Sequence, residues 1–219
     1  MRAEEILAIA RSYVGYNAYD GSHRQIIDLY NSHRPLARGY AVKYTDHWCD
    51  TFVSACFIKA DAVPLIGGTE CGVEEHVKLF KAVGIWIEDG SITPKPGDII
   101  VFNWDQGYQP NDGYSDHIGF VESVSNGMIV TIEGNANNAV RRRQYVIGYG
   151  NIRGYARPRY DEEPVVIIEE YPRKSNEQVA QEVIKGLWGN GQVRKDALRN
   201  SGYDYDAVQA IVNKMIRGW

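Results

Sequence analysis

The sequence predicts an α+β fold for roughly the first three quarters of the chain, followed by a small helical unit. Helical periodicity dominates the stretch before Gly84, short β-type runs separated by Gly and Asn turns begin after Pro94, and helical patterns return near the end. Helices followed by strands favour an antiparallel sheet over a repeating strand–helix–strand fold. The 219 residues, 44% hydrophobic and 24% charged, are typical of a soluble globular protein.

Helices supply the N-terminal layer and strands the sheet that follows. Apolar residues recur at helical spacing over Ala3–Val14, Trp48–Ala60 and Val73–Val83. The β-type runs occupy four later segments, Asp98–Asn103, Ile118–Val124, Met128–Glu133 and Ile152–Ala156. Asn126-Gly127, between the second and third runs, is a hairpin signal because both residues tolerate positive φ.

An acidic segment divides the chain. Residues 161–172 carry five acidic and no basic residues, with Pro164 and Pro172 as brackets, and repulsion among the acids favours an extended linker. Val165–Ile168 could instead add an edge strand to the first domain. We therefore expect a first domain at residues 1–160, a linker at 161–173 and a second domain at 174–219.

The second domain is predicted to contain three short helices. Their patterns cover Asn176–Ile184, Arg194–Ser201 and Tyr205–Arg217, with Asp204 as a candidate N-cap of the last helix. Residues 173–219 hold eight basic and five acidic residues, and the bases are scattered rather than clustered. This suits a mildly cationic module that contacts an anionic surface, and nucleic acid is not an expected partner.

Other classes of protein are not expected either. No stretch of 18 uncharged apolar residues could span a membrane, and the sequence has no phosphate-binding glycine loop followed by Lys-Ser or Lys-Thr. Arg141-Arg142-Arg143 is interpreted as a solvated turn, with contact to an anionic wall as the lesser alternative. The start Met1-Arg2-Ala3-Glu4-Glu5 lacks a secretion signal, and three cysteines do not make a disulfide framework, so a reducing compartment is expected at synthesis.

Cys49 is the candidate nucleophile. It stands at or just inside the predicted start of the second helix, where unpaired N–H groups and the positive end of the helix dipole favour a thiolate. For any single cysteine, the alternative is a buried structural thiol. Cys56, further along the apolar stripe, fits that alternative, while Cys71 lies in a glycine-flanked loop without a role that the pattern suggests.

Thiol catalysis also needs a base and a group that orients the base. His117 stands at the mouth of a strand, from which its ring could meet a nucleophile on another element; a plain surface histidine is the alternative. His47, two residues before Cys49, is the rival base, although catalytic partners are usually distant in sequence. Glu133 or Asn135, at the end of the next strand, is expected alongside His117.

Four segments carry a resemblance to a known family. They are Trp48-Cys-Asp-Thr-Phe-Val53, Pro94-Lys-Pro-Gly-Asp-Ile-Ile-Val-Phe102, Asp116-His-Ile-Gly-Phe-Val121 and Ile132-Glu-Gly-Asn135. Residues 40–158 resemble the cysteine- and histidine-dependent amidohydrolase/peptidase (CHAP) domains of phage lysins and bacterial wall hydrolases. The resemblance implies a papain-like fold, with Cys49 as nucleophile, His117 as base and Glu133 with Asn135 as orienting groups. The backbone N–H of Cys49 would be one donor to the oxyanion.

Calcium is bound by some relatives through acids spaced along the loop before the cysteine. Here that loop, Gly39–His47, offers only Asp46, with Asp50 beyond it. Calcium takes about 6–8 oxygen ligands, so two carboxylates are a poor set. No cofactor is expected, and a calcium requirement is poorly supported.

The tail resembles a second family. The matching segments are Val183–Gly191, Arg194–Leu198 and Gly202–Asn213. They are similar to the short wall-binding repeat first recognised at the end of a pneumococcal phage lysozyme, which implies a three-helix bundle that binds the disaccharide-peptide unit of peptidoglycan. Asn190 and Arg194 are the candidate contacts with an acidic muropeptide. Trp188 and Tyr203 could stack on a sugar, but core packing explains them more readily in so small a domain.

The two resemblances together imply a peptidoglycan hydrolase of the phage endolysin type, which cleaves the muramoyl–L-alanine amide or a peptide bond of the stem or cross-bridge. Such an enzyme is made in the host cytoplasm and acts on the wall, expected to be Gram-positive, after release; a secreted enzyme trimmed of its leader would fit equally. A papain-like protease or transamidase shares Cys49 and His117 but leaves the tail unexplained. An inactive wall-binding protein is the third hypothesis, and the presence of all four candidate catalytic residues disfavours it.

Overall fold

A computed structural model describes residues 1–161 and 174–217. The chain divides into two compact units, residues 1–163 and residues 164–219. Each unit has a hydrophobic core of its own. Nearly all of the expected linker at 161–173 lies outside the described residues, as does the alternative edge strand at Val165–Ile168.

Four α-helices form one layer of the first unit. They are α1 (Ala3–Ser12), α2 (Arg24–Ser32), α3 (Cys49–Lys59) and α4 (Val73–Ala82). Three of them match predicted helices, whereas α2 was not predicted, because only Ile26, Ile27 and Tyr30 make its buried face and polar residues surround them. None of the helices within the described residues is long and apolar enough to cross a bilayer.

The second layer is a six-stranded sheet. Its strands are β1 (Trp86–Ile87), β2 (Ile99–Phe102), β3 (His117–Ser125), β4 (Met128–Glu133), β5 (Arg141–Val146) and β6 (Ile152–Ala156). They lie in the order β1-β6-β2-β3-β4-β5, and every neighbouring pair is antiparallel. The predicted α+β class with an antiparallel sheet is confirmed. The predicted hairpin is also present, since β3 and β4 join through Asn126 and Gly127 at φ of 50° and 76°.

Strand β5 corrects the interpretation of the arginine run as a solvated turn. Arg141, Arg142 and Arg143 open this edge strand, which pairs with β4 along its whole length. The strand carries no alternation of apolar and polar residues, so the usual sequence signal for a half-buried strand is missing. Because successive side chains alternate between faces, Arg143 and Tyr145 share one face while Arg142 and Gln144 lie on the other.

Helix α3 lies at the centre of the first unit. All of its residues from 49 to 57 are buried, including the polar Asp50, Thr51 and Ser54, so the helix is enclosed on every side. The helix packs on α1, α2, α4 and β3. Phe120 of β3 meets it through two aromatic contacts, with ring centroids 5.8 Å from Phe52 and 6.0 Å from Phe57. The start of α3 is therefore fixed against the sheet.

The second unit contains three helices, α5 (Asn176–Ile184), α6 (Gly191–Asn200) and α7 (Tyr205–Arg217). A capping box begins α5, where the Ser175 hydroxyl accepts the N–H of Gln178. Asp204 caps α7 by accepting the N–H of Ala207 over 3.0 Å, which confirms the predicted cap. The core of the unit is built from six aliphatic residues, Val179, Ala180, Val183, Leu198, Val208 and Val212.

Candidate active site

Cys49 is the first residue of α3, and Trp48 is its N-cap. The predicted position of Cys49 at a helix start is therefore confirmed. The residue is largely buried, with 7% of its surface exposed. The first N–H groups of a helix have no partner inside the helix, and with the helix dipole they favour negative charge nearby. The sulfur of Cys49 therefore lies at the N-terminal end of α3.

The imidazole of His117, at the start of β3, hydrogen-bonds to both Cys49 and Glu133. Its Nε2 atom lies 2.8 Å from Oε2 of Glu133. Burial by itself lowers the pKa of His117, but the hydrogen bonds and charges of Cys49 and Glu133 outweigh burial and raise the pKa to about 10. The ring is therefore protonated at neutral pH, and it links the sulfur to the carboxylate.

The register of β3 and β4 brings Glu133 to the histidine. Phe120 pairs with Ile132, so Glu133 falls opposite Gly119, and His117 lies two residues from Gly119 on the same face of the sheet. A Cβ on Gly119 would lie 2.6 Å from Cγ of Glu133. Glycine at this position therefore leaves the space that the carboxylate occupies.

Two further side chains hold Glu133, which is 1% exposed. Thr131 donates its hydroxyl to Oε1 over 2.5 Å, and the Tyr145 hydroxyl also hydrogen-bonds to the carboxylate. Burial, followed by the charge of Glu133, raises the pKa of Tyr145, so its hydroxyl keeps the proton that it donates. Sequence reasoning missed both residues. Thr131 could have been found from its position two residues before Glu133 on one strand face, whereas Tyr145 lies on the unpredicted β5.

Asn135 contacts the rival histidine. Its Nδ2 atom lies 3.3 Å from Nδ1 of His47, and its backbone is left-handed, with φ of 57°. Asn135 nevertheless lines the same cavity as His117 and Glu133. The structure therefore brings Cys49, His117 and Glu133 into one hydrogen-bonded set and places Asn135 at the wall beside them.

The segment that leads into His117 is anchored on both sides. Arg153, which is 5% exposed, donates from Nη1 to the hydroxyl of Ser115 over 2.6 Å. Asp116 accepts the backbone N–H of Trp104 over 3.0 Å. These bonds fix the start of β3 and the neighbouring loop, and so the position of the ring.

A cavity of about 400 Å³ opens beside His117. Its walls include the aromatic rings of Trp104, Tyr145 and Tyr149 and the side chain of Arg143. A larger cavity of about 850 Å³ elsewhere in the first unit contains none of the predicted site residues. The smaller cavity is the one that His117, Glu133 and Asn135 line.

The two carboxylates weighed for calcium are engaged with other partners. Asp46 accepts the Tyr40 hydroxyl and the Lys43 N–H, each over 2.8 Å. Asp50 is fully buried, with Oδ1 2.5 Å from Nδ1 of His76. Across residues 1–161 and 174–217, no group of three or more His, Cys, Asp or Glu side chains converges in a way that could hold a metal ion. Both carboxylates are therefore engaged in hydrogen bonds within the chain, and the expectation on calcium stays a prediction.

In the second unit, the two polar candidates for wall contact lie together. Arg194 donates from Nη2 to Oδ1 of Asn190 over 2.8 Å. Trp188 and Tyr203 meet edge to face with ring centroids 5.9 Å apart, and both pack partly buried against the core. The Trp188 indole also donates to Glu182 over 3.0 Å. The two aromatic residues thus contribute to packing, and Arg194 with Asn190 forms a polar pair near the start of α6.

Comparison with known families gives two matches. Residues 39–135 match the family described as the CHAP domain, and residues 177–216 match the CW_7 repeat. Part of the chain is also similar to a curated protein, the lysozyme of Streptococcus phage Cp-7. The two are 54% identical over 55 residues, which cover 25% of this chain and 16% of the phage protein. The chain thus spans only a small part of that relative.

Two solved structures are similar to this chain at low identity. The crystal structure of Ly7917 is 16% identical in sequence to this chain. The match covers 72% of this chain and 62% of the Ly7917 chain, with a TM-score of 0.43. The structure of Ly7917 with the hydrolyzing product of MDP is 17% identical in sequence to this chain. The match covers 71% of this chain and 62% of the Ly7917 chain, with a TM-score of 0.37. With scores this low, neither likeness bears on what this chain does.

Proposed function

Because this chain carries a CHAP domain followed by a CW_7 repeat, we propose that it is a peptidoglycan hydrolase of the endolysin type. The observation that carries the proposal is the His117 imidazole, which is hydrogen-bonded to the thiol at the start of α3 and to the buried Glu133. This is the arrangement that nucleophilic attack by a thiol on an amide requires. The bond cleaved is an amide of the bacterial wall, and the proposed substrate is the peptidoglycan of a Gram-positive host.

In the first half of the reaction, the Cys49 thiolate attacks the carbonyl carbon of the wall amide. The oxygen of the tetrahedral intermediate carries the negative charge, which the backbone N–H of Cys49 is placed to stabilise. The His117 imidazolium then gives its proton to the amide nitrogen, and the carbon–nitrogen bond breaks. The amine leaves, and the acyl group stays on the sulfur as a thioester.

In the second half, neutral His117 takes a proton from a water molecule, whose oxygen attacks the thioester carbon. The carbon–sulfur bond breaks, the acid leaves, and the thiolate–imidazolium pair is restored. Glu133 keeps the ring in one orientation and stabilises its positive charge in both halves. No step needs a metal ion. The net reaction consumes one water and yields one amine and one carboxylic acid.

The second unit is proposed to bind the wall. The support is the match of residues 177–216 to the CW_7 repeat and the cationic Arg194 beside Asn190. Peptidoglycan carries acidic peptides, for which an arginine is a suitable partner. Binding through one copy of the repeat is expected to be modest, since avidity requires several linked sites.

The decisive experiment measures the fall in turbidity of purified Gram-positive walls. Cys49→Ala should lower the rate of lysis by at least about 10³-fold, because the nucleophile is lost. Cys71→Ala is the matched control, a thiol of the same unit that is not hydrogen-bonded to His117, and it should lyse walls at close to the parental rate. Lysis by Cys49→Ala at the parental rate would contradict the proposal.

Two further assays separate the remaining alternatives. Hydrolysis of casein, with walls left intact, would favour a protease that acts on proteins. Mass spectrometry of fragments released from walls of known composition identifies the bond: a new N-terminal alanine indicates the muramoyl–L-alanine amidase, and other new amino groups indicate an endopeptidase.

Deletion of residues 173–219 tests the second unit. The shortened protein should bind walls more weakly and still hydrolyse soluble muropeptides at nearly the rate of the full chain. Equal loss on both substrates would mean that the tail is part of the catalytic fold.

A further inference from the structure

The cavity beside His117 has three aromatic walls. Trp104, Tyr145 and Tyr149 line it, and its volume of about 400 Å³ lies in the range of small-molecule sites. The Trp104 ring stacks on the buried Phe102 with centroids 4.9 Å apart and planes 8° apart, and the two tyrosine rings lie 5.5 Å apart. The walls support one another, so the cavity is already formed without a ligand.

Two asparagine amides hold the loop that carries Trp104. Asn151 donates to the carbonyls of Asn103 and Trp104, each over 3.2 Å. Asn111, which is 3% exposed, donates to the carbonyl of Gly150 over 3.0 Å. Trp104 is therefore fixed in place although 43% of its surface is exposed.

The charge in this cavity is positive. Glu133 lies there, but its two oxygens already accept hydrogen bonds from His117 and Thr131. Arg142, on the other face of β5, pairs with Glu122 over 2.5 Å. Within the part of the chain that the structure describes, no ion pair includes Arg143. Arg143 is thus an unpaired cation on the cavity wall.

His117 determines which part of the substrate enters the cavity. In the proposed mechanism this ring protonates the leaving amine, so the leaving segment begins at the ring. His117 lines the cavity, whereas Cys49, which keeps the acyl group, is not among its lining residues. The cavity therefore lies on the leaving-group side of the bond that is cleaved.

We propose that this cavity binds the leaving peptide and that Arg143 pairs with a carboxylate within a few residues of its new amino terminus. The inference rests on the proposed function and adds a substrate class to it. The planar guanidinium matches a carboxylate through two parallel hydrogen bonds. The enzyme therefore prefers wall peptides whose leaving segment is acidic over the same peptides with that carboxylate amidated.

The test uses the full chain and two soluble muropeptides that differ only in whether the carboxylate of the leaving segment is free or amidated. The parent should cleave the free form with a kcat/KM about 3-fold higher, the value of one ion pair at a site that solvent reaches. Arg143→Gln should lower kcat/KM for the free form alone, so that the ratio falls to about 1. Arg142→Gln, which removes the same charge from the opposite face of β5, should keep the ratio of the parent.

The outcomes separate this inference from the proposed hydrolase function on which it rests. An unchanged ratio in Arg143→Gln overturns the carboxylate pairing, and so does an equal loss on both substrates by a variant whose thermal unfolding matches the parent. Arg143→Glu is a second test, since it should reverse the preference for the free over the amidated muropeptide. If Cys49→Ala cleaves both muropeptides like the parent, the proposed hydrolase mechanism fails instead.

Discussion

The first unit contains two buried pairs of a histidine and a carboxylate, and only one of them is a candidate for catalysis. His117 and Glu133 are 2.8 Å apart with side chains 13% and 2% exposed. His76 and Asp50 are 2.5 Å apart with both side chains fully buried. Asp50 directly follows Cys49 in α3. One pair therefore contains the neighbour of Cys49 in sequence, and the other contacts Cys49 through His117.

The pairs differ in what surrounds them. His117 hydrogen-bonds to a thiol and lines an open cavity. His76 stacks on Phe80 with ring centroids 4.3 Å apart, and its Nε2 atom has no hydrogen-bond partner among the described residues. A buried histidine–carboxylate pair is therefore not by itself a site. A reactive third group and access for a substrate distinguish catalysis from the joining of two helices.

Removal of the first histidine should have the largest effect. His117→Ala takes away both the proton donor for the leaving amine and the partner of the thiol, so kcat/KM on soluble muropeptides should fall by at least about 10³-fold. The free energy of unfolding, measured in urea, should also fall, because the buried Glu133 loses its cationic partner, so activities are compared per folded protein. Folded His117→Ala that cleaves muropeptides at the parental rate would remove the contrast between the two pairs.

The second pair should affect the free energy of unfolding and not the chemistry of the folded enzyme. His76→Ala leaves Asp50 buried without a partner, which should cost about 3–5 kcal/mol of the free energy of unfolding. Urea denaturation measures the loss. The double variant Asp50→Leu/His76→Leu removes both polar groups and should be less destabilised than His76→Ala, since no charge is left unpaired in the core. A stable, inactive His76→Ala would instead assign this pair to catalysis.

The pH dependence of activity sharpens the comparison. The pKa of His117 is raised from 6.5 to about 10, so the imidazolium persists above pH 7 and activity should fall as the pH rises through about 10. The contribution of this raised pKa to folding stability has the same sign: it is complete below pH 6.5 and is lost as the pH rises through about 10.

Glu133→Gln tests the cause of that raised pKa. The amide carries no negative charge, so the alkaline limb of the kcat/KM profile should move to lower pH, and kcat/KM at neutral pH should fall about 10- to 100-fold. Asp50→Asn is the control, because Asp50 has no contact with His117 among the described residues, and its active fraction should keep the alkaline limb of the parent. An unmoved limb in Glu133→Gln would mean that the carboxylate does not support the imidazolium.

Sequence patterns carried enough information for the parts of the site that depend on local structure. Cys49 stands at a helix start because the apolar pattern of α3 begins there, and Glu133 reaches His117 because β3 and β4 are joined by a short Asn-Gly turn. The orienting role shared between Glu133 and Asn135 could not be divided from sequence, since residues two apart would share one face if the strand continued. In the structure β4 ends at Glu133, and Asn135 lies beyond it with a left-handed backbone.

The parts that depend on tertiary pairing left no sequence signal. Tyr145 and Arg143 reach the site through β5, an edge strand whose polar residues give no strand periodicity. Asp50 and His76 meet across two helices 26 residues apart in sequence. A histidine in a helix gives no indication of the carboxylate that it will meet in a folded core, so only the packing of α3 on α4 identifies that pair.

The smallest expected effect concerns the hydroxyl that supports Glu133. Tyr145→Phe keeps the ring in the cavity wall and removes one hydrogen bond to the carboxylate, so kcat/KM should fall about 3- to 10-fold, the value of a single hydrogen bond. The alkaline limb should move slightly to higher pH, opposite to its shift in Glu133→Gln, because a carboxylate with one donor fewer stabilises the imidazolium more strongly. Tyr149→Phe removes a hydroxyl from the same cavity and should leave that limb unchanged. Equal pH profiles for the two variants would show that Tyr145 acts only as part of the wall, and the hydrogen-bonded set around His117 would then end at Glu133 and Thr131.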